Sequence, residues 1–446
     1  MSIFDSAHNP LSHRQFRWMF ASQILSLLGV GILTMALSLT AWRIGGTQAA
    51  GTILGLILAL KMIAYVFLAP LAEVWVSRFS PRRALITLDA LRMVLLLPMV
   101  FADSIVELAG LAFVFFAVSA AFTPLYQATI PAVLTEEKTY VRALSFSRLA
   151  YTLESVLSPI LAGLALSLVS EPSLFILAAF SLALSVIALL AARLDVDAAL
   201  ARKAPFLERL ARGIRIELKT PRLRGLLAMN LALSLGLGWV LVNSVVFSGL
   251  RFGDDPQAFT TLMTGYGAGA AIAALSVPAL LERLSERRIM LMGCTLFALA
   301  TPVILLPLGM AGAVALWAVL GCASSMVMTP GGLVLNRSAN REDRPALFAA
   351  QFSLSHAAWL IAYPLAGWAG AAFGAETSLV LLGAATAIVT ILASRLWPSN
   401  DPLERRHSHA DLPPDHPHLR KIAASGPDKT HEHVFHIDED HPKWAM

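Results

Sequence analysis

Long apolar runs follow one another along almost the whole chain, separated by short breaks that carry charges, prolines or glycines. A helix needs about 20 apolar residues to cross a lipid bilayer, whereas a barrel strand needs about 10 residues of alternating polarity, and these runs do not alternate. The pattern therefore predicts an all-α membrane protein with twelve transmembrane helices. The runs lie near 17–42, 51–76, 84–102, 105–128, 142–168, 173–193, 225–248, 257–281, 289–308, 311–334, 346–371 and 376–397.

Composition agrees with the lipid bilayer as the main surroundings of the chain. Hydrophobic residues make up 57% of the 446 residues and charged residues only 14%, against about 25% charged residues in a typical soluble protein. Cys294 and Cys322 both lie in apolar runs, so neither a disulfide framework nor a zinc cluster is expected. No cofactor is predicted.

Lysine and arginine fall mainly in every second connection between the runs, which predicts the orientation in the membrane. With the N-terminus inside, the outer connections carry only Arg43 and Arg251, while nine basic residues lie between Arg193 and Arg224 on the inner side. The sequence therefore predicts a protein of the inner (plasma) membrane with both termini in the cytoplasm. This topology also explains the net charge of +5, so no nucleic-acid partner is expected.

Three short motifs occur twice, once in each set of six spans. They are SRFSPRR (77–83) with ERLSERR (282–288), Thr-Pro (123–124) with Thr-Pro (329–330), and Leu-Ala-Gly (161–163) with Leu-Ala-Gly (365–367), at offsets of 205, 206 and 204. Three matches in register favour an internal duplication over twelve unrelated helices. We predict two pseudo-symmetric six-helix bundles, 1–193 and 225–397, joined by a basic cytoplasmic linker, 194–224, and followed by a disordered His-rich tail, 398–446.

The first copy of the charged motif resembles the loop signature G-x-x-x-D-R-x-G-R-R of the major facilitator superfamily, and the resemblance covers nearly the whole membrane part. Glu73, Ser77 and Ser80 stand where the signature has its first Gly, its Asp and its second Gly. The resemblance implies two six-helix halves that rock around a central site. Residues 120–149 further resemble exporters of the enterobactin and macrolide type, and residues 352–368 with the His-rich tail resemble nickel-resistance members.

In that superfamily the acid and the arginine of the signature latch the cytoplasmic helix ends. The second copy keeps its acid at Glu282, while Asp89 or Glu73 would replace the acid missing from the first copy. Asp89 and Arg92 lie one turn apart, so a self-satisfied ion pair is the alternative for them. The resemblance thus predicts a cytoplasmic gate made of Glu73, Arg78, Asp89, Arg92, Glu282 and Arg283.

Ionisable residues at membrane depth are costly, which makes each of them a candidate for function. Lys61, Glu154 and His356 lie near the middle of spans 2, 5 and 11. We predict that Glu154 or His356 carries a coupled proton and that Lys61 is the counter-charge of Glu154. Tyr151 shares a helical face with Glu154 and joins this predicted transport site. For His356 the alternative is a hydrogen bond that packs one helix against another.

The tail after Trp397 holds eight of the eleven histidines in a segment with few large apolar residues. Imidazole suits Zn, Ni, Cu and Co, so the tail is a candidate metal-binding segment. The alternative is a solvated tail whose histidines reflect composition alone. The candidate ligands are His407, His409, His416, His418, His431, His433, His436 and His441.

The sequence as a whole predicts a monomeric secondary active transporter, and not an enzyme, that exports a small solute or metal cation in exchange for protons. A nucleotide-binding P-loop is missing from its cytoplasmic segments, which favours an ion gradient as the energy source. Nickel or another divalent transition metal is the first hypothesis for the substrate, and a drug or siderophore-like molecule is the alternative. A membrane-embedded enzyme would show clustered acids or a nucleophile with its base at a membrane face, and neither pattern is present.

Overall fold

The computed structural model describes residues 9–68, 79–194, 206–340, 342–402, 404–408 and 430–438, together with His441 and Trp444. Most of its helices follow the apolar runs of the sequence, and α6 lies in the basic linker. In chain order they are α1 (Arg14–Ile63), α2 (Pro81–Met99), α3 (Ile105–Val133), α4 (Glu137–Leu166), α5 (Ser173–Ala192), α6 (Phe206–Lys219), α7 (Pro221–Phe252), α8 (Pro256–Leu281), α9 (Glu286–Ala300), α10 (Met310–Met328), α11 (Gly331–Ser338), α12 (Arg344–Phe373) and α13 (Ala375–Leu396).

Nine helices in the described part of the chain are long and apolar enough to cross a membrane, which confirms the all-α membrane fold. Helix α1 contains the first predicted span and the first part of the second, and its second arm continues as a π-helical turn over Ala64–Leu68. The two arms meet at Gly46, whose φ of 54° lies in the left-handed region that residues with a side chain rarely adopt. Residues 69–76 of the second predicted span lie outside the described residues, and the count of twelve spans stays a prediction.

The two halves carry the same polar contact at equivalent positions of the repeated motif. Arg82 at the start of α2 donates a hydrogen bond of 3.4 Å to the carbonyl oxygen of Leu190 near the end of α5. Arg287 at the start of α9 donates bonds of 2.8 and 2.7 Å to the carbonyl oxygens of Ser394 and Trp397 at the end of α13. In each half, an arginine of the motif therefore fastens the third predicted span to the sixth.

The two halves come into backbone contact where the second arm of α1 crosses α12. A methyl group added at Gly55 would lie 2.6 Å from the carbonyl oxygen of Tyr363, and one added at Gly367 would lie 2.6 Å from that of Gly51. Only residues without a side chain allow two helix backbones to come so near. The Leu-Ala-Gly motif of the second half thus ends in a glycine at this crossing.

A second crossing, between α4 and α8, contains the equivalent motif of the first half. A methyl group added at Gly163 would lie 2.9 Å from the hydroxyl oxygen of Thr260. Close by, the indole N–H of Trp42 donates a 3.2 Å hydrogen bond to Asp254. These contacts join the two halves at the end of the bundle that the sequence predicts to face outward, and we call it the closed end.

The prediction that the whole tail is disordered is wrong for two parts of it. Strand β1 (Glu404–Ser408) pairs antiparallel with β2 (Thr430–Val434). Phe435 and Ile437, directly after β2, are buried in the main hydrophobic core. Composition did not reveal this structure, because a short pair of strands can be held against an existing helical surface by only two buried apolar side chains. His409, His416 and His418 lie outside the described residues.

Candidate functional site

A cavity of about 560 Å³ lies between the two halves, next to the crossing of α1 and α12. Its walls come from α1 and α4 of the first half and from α7, α8, α10, α11 and α12 of the second. A rocking motion of the halves would therefore change access to it. Of the predicted transport residues, Lys61, Glu154 and His356 all line this cavity.

Lys61 and Glu154 face the cavity from α1 and α4, and their opposite charges attract each other across it. The Lys61 ammonium lies 5.4 Å from the centre of the Phe116 ring and 5.7 Å from that of Tyr65. Aromatic faces attract a cation and give it partial compensation for lost water. The predicted charge and counter-charge thus share one chamber.

Glycine at position 31 makes room for the Glu154 carboxylate beside α1. A methyl group added at Gly31 would lie 2.5 Å from Oε1 of Glu154 and closer still to Oγ of Ser158. The Ser158 hydroxyl is buried and forms no hydrogen bond with any other described residue. Sequence reasoning missed Gly31 because it is one of many small residues in an apolar run.

The imidazole of His356 contributes a nitrogen to the same chamber. Its Nδ1 lies 2.7 Å from the carbonyl oxygen of Phe352, one turn earlier on α12. A carbonyl can only accept, so Nδ1 carries the hydrogen and Nε2 keeps its lone pair. This bond stays within one helix, unlike the packing alternative, which required a bond between helices. Nearby, the buried side-chain oxygen of Gln351 has no hydrogen-bond partner in the described part of the chain.

Aromatic and methionine side chains form much of the remaining wall. Methionine is flexible and polarizable, and aromatic rings offer broad apolar faces, so such a wall suits an organic molecule of irregular shape. These residues are Met35, Met62, Met263, Met328, Tyr65, Tyr266, Tyr363 and Trp359.

Tyr151, the fourth predicted transport residue, is not among those lining the cavity. It is 41% exposed and its hydroxyl is hydrogen-bonded to Thr123 of α3. The sequence placed Tyr151 and Glu154 on the same side of one helix. That side is wide, so Glu154 faces the cavity while the Tyr151 hydroxyl contacts the neighbouring helix α3.

Asp89 and Arg92, predicted for the gate, form a buried ion pair inside the first half. Ser185 of α5 donates a 2.5 Å hydrogen bond to Asp89, and Arg92 donates a 2.9 Å bond to Ser26 of α1. The pair thus joins three helices of one half. These contacts favour the ion-pair alternative over a gate between the halves.

The structure describes two of the other four predicted gate residues. Glu282 and Arg283 are exposed at the end of α8. Glu73 and Arg78 lie outside the described residues. Their role in a gate stays a prediction.

Sequence reasoning missed a charged cluster that gathers around Asp401, just after α13. Its carboxylate oxygens lie 3.5 Å from Arg222, 3.2 Å from Arg337 and 3.6 Å from Arg405. Arg337 also lies 3.6 Å from Glu286. The cluster ties the starts of α7 and α9 to the end of α11 and to the tail. In the sequence these arginines served only as indicators of topology.

Four tail histidines meet in one place, His407, His431, His433 and His441, with ligand atoms within 4.8 Å of one another. Burial, reinforced by the neighbouring imidazoles, lowers the pKa of His407 to about 4 and also lowers the pKa of His433. Burial likewise lowers the pKa of His436, which lies apart from the four. Neutral imidazole is the form that binds metals.

Comparisons with known proteins agree on the architecture. The family model described as Major Facilitator Superfamily matches residues 19–253 and 228–427. Among curated protein sequences, none matches the chain significantly.

Several solved transporters share the fold at low identity. The nucleoside transporter NupG is 13% identical with a TM-score of 0.69, over 86% of this chain and 98% of that chain. A bacterial homolog of the human lysosomal transporter Spinster, in an inward-facing and unoccupied conformation, is 12% identical with a TM-score of 0.69 over the same shares. A D-xylose-proton symporter is 13% identical with a TM-score of 0.65, again over 86% and 98%. Identities this low reveal fold and leave the solute open.

Proposed function

Because the chain belongs to the Major Facilitator Superfamily, and is therefore a membrane transporter of that type, we propose that it exports a small organic solute in exchange for protons. The observation that carries the proposal is the shared cavity with Lys61, Glu154 and His356 in its wall. Ionisable groups at membrane depth mark substrate pathways and proton relays. Location in the inner membrane with both termini in the cytoplasm is part of the proposal.

The size and the wall of the cavity support an organic solute. Its volume of about 560 Å³ falls within the roughly 300–1,000 Å³ of sites for organic ligands. A bare divalent cation would need several converging ligands, and in the described part of the chain such a group lies in the tail rather than in the cavity. The ammonium of Lys61 would also repel a dication. A molecule with an apolar body and a hydrogen-bond donor suits this chamber better.

Glu154 is the group for which the solute and the proton would compete. In the ionised form its carboxylate is balanced by Lys61 and accepts hydrogen bonds from a donor group of the solute. A proton arriving from outside removes the charge and turns one of the two acceptor oxygens into a donor, so the solute is held less strongly and is released. The Nε2 lone pair of His356 offers a second place for the proton in the same chamber.

The contacts between the halves support a cavity that loads from the cytoplasm. The halves are packed together at the closed end, where Gly55 and Gly367 bring α1 and α12 into backbone contact. With the predicted orientation this end faces outward, which corresponds to an inward-facing conformation. A reporter active only in the cytoplasm, fused after Pro398, should be active, and activity of a periplasmic reporter there would reverse the assignment.

A divalent transition metal such as nickel is the second candidate substrate. The observation that favours it is the group of four histidines in the tail. A metal bound to an organic chelator would satisfy both the cavity and the tail, as the siderophore-like alternative suggests.

The central experiment is the replacement Glu154→Gln in purified transporter reconstituted into vesicles. Glutamine keeps a hydrogen-bond acceptor but cannot carry the proton, so solute exchange should persist while uphill transport driven by a proton gradient is lost. Glu107→Gln, at the exposed first turn of α3, is the matched control and should behave as the wild type. Uphill transport at the wild-type rate in Glu154→Gln would exclude that residue as the proton carrier.

The substrate is identified by comparing growth of deletion and overexpression strains across a panel of metals and organic compounds. The vesicle assay then tests the compounds to which tolerance changes. Uphill transport of free nickel that depends on Glu154, with no organic compound transported, would replace the organic proposal with the metal one.

A further inference from the structure

The described residues of the tail form a small folded element against the second half. Phe435 and Ile437 are buried in the main core, and the Trp444 ring packs against the same core. That ring lies 5.0 Å from the guanidinium of Arg222 and 4.8 Å from that of Arg405. The tail is thereby joined to the Asp401 cluster at the ends of α7 and α11.

Four imidazoles converge within this element because of strand geometry. His431 and His433 are two residues apart on β2, so their side chains lie on one face of the hairpin. His407 on β1 is directly opposite His431, and His441 returns to the same face after the strand. Their ligand atoms lie within 4.8 Å of one another. Metal–nitrogen distances of about 2.0–2.1 Å in a tetrahedral site place the nitrogens roughly 3.4 Å apart, so small inward movements of the rings would complete the site.

The outer nitrogens of three of these rings are held by oxygen atoms. Nδ1 of His407 lies 3.0 Å from the carbonyl oxygen of Arg405, and Nδ1 of His433 lies 2.7 Å from that of Val434. Nδ1 of His441 lies 2.7 Å from the Asp438 carboxylate. These oxygens accept, so each Nδ1 carries a hydrogen and each Nε2 holds the lone pair. Metal-binding histidines in proteins almost always have such a partner on the other nitrogen.

Two of the lone-pair nitrogens face each other. Nε2 of His407 lies 3.0 Å from Nε2 of His441. Because Nδ1 of both rings donates to an oxygen, these two lone pairs would repel each other unless a cation lies between them. That cation is either a proton, which would make one ring an imidazolium, or a metal ion.

We propose that His407, His431, His433 and His441 bind one divalent transition-metal ion, which fastens the tail to the end of the second half. Four imidazoles in a compact group suit Zn²⁺, Ni²⁺, Cu²⁺ or Co²⁺. The ion crosslinks β1, β2 and the segment that follows them, next to the arginines around Asp401. This resident ion is independent of the transported solute, so the site exists whether that solute is a metal or an organic molecule.

The test uses the full-length protein in detergent, stripped of metal and titrated separately with Zn²⁺ and Co²⁺. One ion should bind per chain, and Co²⁺ should give the visible absorption of a tetrahedral site. His433→Ala and His441→Ala should each weaken binding by at least about 10-fold. The control His436→Ala removes a tail histidine that lies apart from the four and should leave the affinity unchanged.

Hydrogen exchange measures the fastening itself. Metal should slow exchange at the backbone amides of 404–408 and 430–434 in the wild type and in the control, but not in His433→Ala. Absence of binding, or equal binding by His433→Ala and the wild type, would refute the metal site and leave a shared proton between His407 and His441. Binding at the four histidines without slower exchange would refute the fastening.

Discussion

Replacing Gly367 with alanine should push the two halves apart at the closed end. The added methyl group would lie 2.6 Å from the carbonyl oxygen of Gly51 and 3.0 Å from Cα of Thr52. Both neighbours are backbone atoms, so no side-chain rotation can relieve the clash. Close carbon–oxygen contacts in proteins lie near 3.3–3.6 Å, so α1 and α12 must separate by roughly 0.7 Å or more.

The size of the effect follows from the energetics of overpacking. An extra methyl group in a tightly packed contact destabilises that packing by about 1–3 kcal/mol. The penalty falls only on the conformation in which α1 and α12 touch. The equilibrium should therefore shift by about 5- to 150-fold towards the conformation in which α1 and α12 are apart. Turnover should fall, because bringing α1 and α12 back together becomes less favourable.

Distances between spin labels at Gln48 and Ala372, both exposed near this end, measure the shift directly. The labels are attached to cysteines introduced there, with Cys294 and Cys322 replaced by serine. Gly110→Ala is the matched control, because a methyl group added there meets no atom within 4 Å. Alanine should only favour the helix at Gly110, by about 1 kcal/mol. Identical distance distributions for Gly367→Ala and Gly110→Ala would refute the reasoning.

Two further predictions concern the opposite end of the bundle. Burial raises the pKa of Glu217 on α6 to about 8. The folded protein therefore keeps a proton that the unfolded chain loses near pH 4.3. Between these two pH values the free energy of unfolding should fall by about 1.4 kcal/mol per pH unit as the pH rises. Melting temperatures at pH 5.5 and 8 should show that Glu217→Gln flattens this dependence, and an unchanged slope would contradict it. Arg287→Ala should lower the free energy of unfolding by about 3–6 kcal/mol, because it removes two hydrogen bonds from a charged donor and each contributes about 1.5–3 kcal/mol. Arg283→Ala, at an exposed side chain, should change the melting temperature little.

The repeat in the sequence anticipated more of the fold than the apolar runs alone. Equivalence of 77–83 with 282–288 predicted that Arg82 and Arg287 occupy matching places, and each indeed bonds to the last turns of the sixth predicted span of its half. Such a motif is visible because its charges stand out against an apolar background. The crossing glycines were less visible, because Gly51 and Gly55 differ little from the other small residues around them.

For the candidate site, the cost of burying charge was the informative signal. Lys61, Glu154 and His356 were selected because each is expensive at membrane depth, and all three line one cavity. The Asp401 cluster escaped notice because charges near helix ends are ordinary in sequence, and only the fold brings Arg222 and Asp401 together. The tail hairpin escaped for a similar reason, since pairing of β1 with β2 spans more than twenty intervening residues.

Depth in the membrane cannot by itself separate a structural charge pair from a functional one, but hydrogen bonding can. Asp89 and Arg92 bond to each other and to serines on two further helices, so the two charges are held in a single arrangement. Removing one partner of such a buried pair costs about 3–5 kcal/mol, because the other charge is left uncompensated. Lys61 and Glu154 attract each other across an open chamber instead. That arrangement leaves room for a solute or a proton to take the place of either partner, which is the property a transport site requires.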